Sequence, residues 1–142
     1  LWKGLAAINR LRKSEAADVS AWEAARLWID RAARADPREP MPVFEYYRSF
    51  RTEGRDAPAS AIEELRKIVE NSPQVAEYRF AYSYELARKG DLPGAIRLLQ
   101  PVANSPYFKR SKEPAQKIIE VLRRASADKA STIDLKTLFG TS

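Results

Sequence analysis

Carboxylates are the side chains in this sequence best suited to acid–base chemistry, and some come in pairs such as Glu63 and Glu64. A catalytic pair needs environments that push the two pKa values apart, so that one group holds a proton while the other accepts one. The neighbouring residues point elsewhere. Glu63 with Lys67, Glu113 with Lys117, and Glu120 with Arg124 stand four residues apart, the spacing of surface ion pairs along a helix. The 142 residues contain no histidine and no cysteine, which removes the commonest general base, the thiol nucleophile and the commonest metal ligands together. The five glycines, Gly4, Gly54, Gly90, Gly94 and Gly140, never fall in a G-x-G context, so no phosphate loop or dinucleotide fingerprint is present. The expectation is a non-enzyme with no catalytic residue, no metal and no cofactor.

Binding chemistry is better represented. Tyr46, Tyr47, Phe50, Tyr78, Phe80, Tyr82 and Tyr84 alternate with basic residues, a pattern that can stack nucleic-acid bases. Helix packing accounts for Tyr46, Phe50 and Tyr82 more simply, because they fall on inward-facing positions. The net charge of +6 is spread from Lys3 to Lys136 and interleaved with 19 acids, which favours acidic partners weakly and argues against a nucleic-acid groove. No stretch approaches the roughly 18 apolar residues that span a bilayer. The chain therefore reads as soluble, and the lack of cysteine suits a cytoplasmic or a periplasmic setting equally.

These residues must be positioned by helices. With 44% hydrophobic and 31% charged residues and no low-complexity tract, the chain can bury a core of ordinary single-domain size. Its organisation is an internal repeat. Ser20 to Pro37, Ser60 to Pro73 and Gly90 to Pro106 align, with Ala25, Ala61 and Ala95 as their small residues. Each alanine is followed on one helical face by apolar residues: Ile29 and Ala32, Leu65 and Ile68, Leu99 and Val102. Pro37, Pro73 and Pro106 close the segments. Start signals precede them: Ser20 with Glu23 as a capping box, Asp56 before Pro58, and Asp91 before Pro93. Gly54 and Gly90 end the intervening helices, Pro40 to Gly54 and Ala76 to Gly90. A first helix from Leu1 to about Ala16 carries Trp2, Leu5, Ile8 and Leu11 on one stripe, and a last one from Ser111 to about Ala127 buries Ile118, Ile119 and Leu122. Pro101 should kink or shorten its helix.

A helix, a tight turn and a second helix at about 34-residue intervals resemble the tetratricopeptide repeat, over roughly Ser20 to Pro106. Two positions depart from that family's pattern: Arg79 replaces a core residue and Tyr47 a small one. The resemblance implies an all-α, right-handed solenoid of antiparallel helix pairs, about three repeats and seven helices. It would span residues 1–127, with a polar tail, 128–142, that is loose or forms one short amphipathic turn.

It also implies a non-catalytic scaffold that holds a protein or peptide on the first helices of its repeats. The groove-facing positions would be Met41, Phe44, Arg48 and Arg51 in one repeat and Glu77, Phe80, Tyr84 and Arg88 in the next. Of these, Phe44, Arg48, Arg51, Phe80, Tyr84 and Arg88 are the expected peptide-binding residues, exposed aromatics beside arginines that suit an acidic ligand. Chaperone-tail receptors of the family carry Lys and Asn at such positions. Phe44, Arg48, Phe80 and Tyr84 stand here instead, so that specificity is not expected. The alternative implied is a repeat segment of a longer bacterial protein whose activity, for example peptidase-like, lies in a domain preceding Leu1.

Overall fold

The computed structural model describes residues 1–13, 18–128 and 132–140, and among them the chain is entirely helical, with no strand. The eight helices are α1 (Trp2–Arg12), α2 (Val19–Ala35), α3 (Pro40–Glu53), α4 (Ala59–Asn71), α5 (Ala76–Arg88), α6 (Leu92–Asn104), α7 (Lys112–Ala127) and α8 (Leu135–Phe139).

Helix starts are set by short polar side chains that take up free backbone amides. Asp91 does this for α6, accepting from the Gly94 amide at 2.9 Å, with Pro93 in the first turn. For α2 the cap is Asp18, which accepts from the Ala21 amide at 2.9 Å, so the helix opens two residues before the expected Ser20 box. Gly54 (φ 86°) and Gly90 (φ 90°) close α3 and α5 in the left-handed region, where a Cβ would be strained. In both turns the next amide reaches back five residues, Arg55 to the Phe50 carbonyl and Asp91 to the Leu86 carbonyl, each at 2.9 Å. Pro101 does not end α6, which runs on to Asn104.

The helices fall into two compact units that divide between Ile68 and Val69, inside α4. In the first unit α1 packs on α2 and α2 on α3. Ile8, Trp22, Ala25 and Ile29 form a buried cluster, with Leu5, Leu11 and Tyr46 against it. Gly4 lets α1 approach α2 closely. A Cβ there would lie 2.5 Å from Ile29 Cγ1 and 3.2 Å from the Ala25 carbonyl oxygen. Trp2, expected on the inward stripe of α1, is instead 82% exposed: the residues that meet the cluster are Leu1, Leu5, Ile8 and Leu11, and Trp2 falls beside that stripe.

In the second unit α6 packs against both α5 and α7. Its core joins Ala95, Leu99 and Val102 of α6 to Ala115, Ile118, Ile119 and Leu122 of α7 and Ala87 of α5. Burying each of the larger aliphatic side chains stabilises the unit by about 2 kcal/mol. The three repeat alanines, Ala25, Ala61 and Ala95, are all buried. At Ala95 the approach is direct, since the buried Ser83 hydroxyl on α5 donates to the Ala95 carbonyl at 3.0 Å. Arg79, in place of a core residue, ties α5 to its surroundings by donating to the Pro73 and Leu98 carbonyls at 2.6 and 3.1 Å.

Candidate functional site

Helix α5 carries the most developed surface. Its turn toward α6 is fixed by Gly90 and Asp91, and its buried side is built from Tyr78, Ala81, Ser83, Tyr84, Glu85 and Ala87. Tyr84 was expected to be exposed but is 3% exposed, and its ring meets Phe139 of α8 edge to face with centroids 5.7 Å apart. That geometry adds about 1 kcal/mol beyond area burial. Phe80 is half-buried and packs against the core of the unit. The cover over this part of α5 is therefore the chain's own C-terminal helix, with Ile133, Leu135, Leu138 and Phe139 all packed against the same core. Arg88 donates through Nε and Nη2 to a single oxygen, Oε2, of the buried Glu85 at 3.1 and 3.0 Å.

Helix α8 owes its start to Asp134. This carboxylate accepts from the Thr137 hydroxyl at 2.6 Å and the Thr137 amide at 3.3 Å, and those bonds to the charged form hold its pKa below the ordinary 3.8.

The matching stripe on α3 behaves differently. Phe44 is buried at 6% exposure and stacks on Tyr47, so the expectation of an exposed Phe44 also fails. Tyr84 is buried because α8 adds a second cover to α5, so one inward stripe does not exhaust the packing of that helix. Arg48 is half-exposed, pairs with Glu45 at 3.4 Å, and lines a small polar cleft of about 110 Å³ between α1 and α3. Asn9, Arg12 and Thr52 line the same cleft. Arg51 is half-buried on the same helix.

A charged pair that the sequence did not single out lies beneath. Arg26 is buried on α2 and its guanidinium sits 3.8 Å from the centre of the Phe50 ring. It donates to the Ser49 hydroxyl at 2.7 Å and to Glu53 Oε2 at 2.8 Å. Arg26 also lines a cleft of about 350 Å³ with Leu27, Asp30, Arg34 and Tyr46. The signal available in sequence was only an arginine one residue after the repeat alanine. Glu120 pairs with Arg124 as expected, whereas Glu63 takes Arg66 and Lys67 takes Glu64, both at three residues rather than four. Among the described residues no group of three or more Asp and Glu is placed to hold a metal ion. Among the described residues no helix is long and apolar enough to cross a membrane.

Comparison with family models, with curated proteins and with solved structures finds no match to this chain.

Proposed function

We propose that the chain is a non-catalytic scaffold of tetratricopeptide type that holds a segment of another protein on the first helices of its hairpins. The observation that carries this reading is the seating of a short amphipathic helix, α8, on α5 through Tyr84 and Phe139. A helix face that accepts an apolar edge from one segment is a helix-in-groove surface of the kind that protein-binding repeats use. In the other unit the cleft of Asn9, Arg12, Arg48 and Thr52 offers donors to an acidic or carbonyl-rich segment. The test substitutes Arg48, Arg51 and Arg88 by alanine together and measures partner capture from cells of the source organism. Tyr84 is left intact because it is part of the core. A marked loss of partner at unchanged helicity is expected; full retention would remove these stripes from the binding surface.

A second reading, that the hairpins brace a neighbouring domain, draws on Trp2 and Trp28. Trp2 is 82% and Trp28 41% exposed, with Lys3 and Arg31 set over the Trp28 ring at 4.8 and 5.1 Å. Exposed tryptophans flanked by cations are covered readily by another protein surface.

A further inference from the structure

We infer that residues 132–140 are an internal ligand of the α5 face, and that the external partner of this face is a segment of the same chemistry. That partner is a short amphipathic helix presenting a branched aliphatic residue, two leucines and a terminal aromatic on one side. The inference rests on the scaffold reading and names its partner class.

Three features separate α8 from a structural helix. It has five residues, far below the roughly 12 to 15 at which a helix holds its shape in water, so docking supplies its order. It has no buried residue, whereas α2, α3, α5, α6 and α7 each have four or more. Its sides are nonetheless sharply divided: Ile133, Leu135, Leu138 and Phe139 are half-buried against the core, and Asp134, Lys136 and Thr137 are exposed. A segment that docks by one half-buried edge, with a cap carried in its own sequence, has the construction of a bound peptide. Its apolar spacing is then the template for what can replace it: i, i+2, i+5 and i+6, starting at Ile133.

The tether sets the strength of the competition. Four residues, 128–131, join α7 to the docked segment 132–140, and a connection this short gives an effective concentration on the order of millimolar. A segment whose own dissociation constant is about 0.1 mM would then keep the face closed in about nine molecules of ten, and weaken an external peptide about tenfold.

The test titrates a fluorescently labelled peptide with the sequence of residues 128–142 into the full chain and into full chains with an altered plug. Leu138→Ala with Phe139→Ala removes the plug's anchors. A second variant inserts about 20 Gly/Ser residues within 128–131, which lowers the effective concentration while leaving the docked segment 132–140 and α5 unchanged. Both should bind the peptide more tightly than the unaltered chain, by about tenfold for the double substitution and by a few fold for the longer tether. A peptide carrying the Phe139→Ala change should bind none of them well. Equal affinity for all three chains, or saturable binding to none, overturns the inference. The scaffold reading falls separately, on the partner-capture measurement, so the two failures are distinguishable.

Discussion

Replacing Gly4 by alanine tests the closest helix approach in the first unit, and the sign of the effect is what matters. In an exposed helix interior, Gly→Ala stabilises by about 1 kcal/mol, because alanine loses less backbone entropy. Here the new methyl would lie 2.5 Å from Ile29 Cγ1 and 3.2 Å from both the Ala25 carbonyl oxygen and the Ile29 amide nitrogen. Ile29 has no exposed surface into which it could retreat. Overpacking of this kind costs about 1 to 3 kcal/mol, so the net expectation is a loss of about 1 kcal/mol, or roughly 4 °C in Tm for a chain of this size. Thermal and urea unfolding followed by circular dichroism would measure it. The clash is assigned by repeating Gly4→Ala in an Ile29→Ala background, where the offending atom is gone. The penalty there should shrink by about 1 kcal/mol or reverse. A Gly4→Ala chain more stable than the original, or an identical penalty in both backgrounds, would refute the argument that α1 and α2 meet backbone to backbone at Gly4.

Other outcomes follow from the same packing. Glu53→Ala leaves the buried Arg26 guanidinium without its carboxylate, and should cost about 3 to 5 kcal/mol in urea unfolding, while Arg26→Met combined with Glu53→Leu should recover most of that. Ala95→Leu places a larger side chain where the Ser83 hydroxyl meets the α6 backbone, and should cost about 1 to 3 kcal/mol by the same assay. Asp134 has a depressed pKa in the folded chain, so its contribution to α8 is fully present above the ordinary 3.8 and is lost as pH falls through the lower folded value. Phe139 ring resonances should accordingly be unchanged between about pH 8 and 5 and shift toward free-peptide positions only below about pH 4.

Several helix ends were legible in the residues. Asp91 with Pro93, and the turns at Gly54 and Gly90, need particular residue types at particular places, and those constraints are local. The buried alanines and the Ile118, Ile119 and Leu122 stripe of α7 were readable for a similar reason, since a 3.6-residue period marks one face of a helix. What the period could not give is how many faces are covered. Tyr84 sits beside the inward stripe, and its burial depends on a neighbour distant in sequence, Phe139. Trp2 fails in the opposite direction: Leu1, not Trp2, continues the stripe of Leu5 and Ile8, and a period read from so short a segment admits either. Asp18 and Ser20 are both competent caps, and their types alone do not choose between them. Local chemistry also cannot foresee Arg26, whose partners Ser49 and Glu53 stand 23 and 27 residues away.

The proposed role of the α5 face carrying Phe80 and Tyr84 as a protein-binding surface is open to photo-crosslinking from that face in living cells. A benzoyl-phenylalanine at position 80, in the full chain with Leu138→Ala and Phe139→Ala, would report what covers α5 once the internal segment is weakened. Crosslinks to another protein are expected, mapping to a short amphipathic stretch with aliphatic residues and an aromatic spaced like those of 133–139. Crosslinks confined to this chain's own residues 132–140, despite the two substitutions, would contradict it.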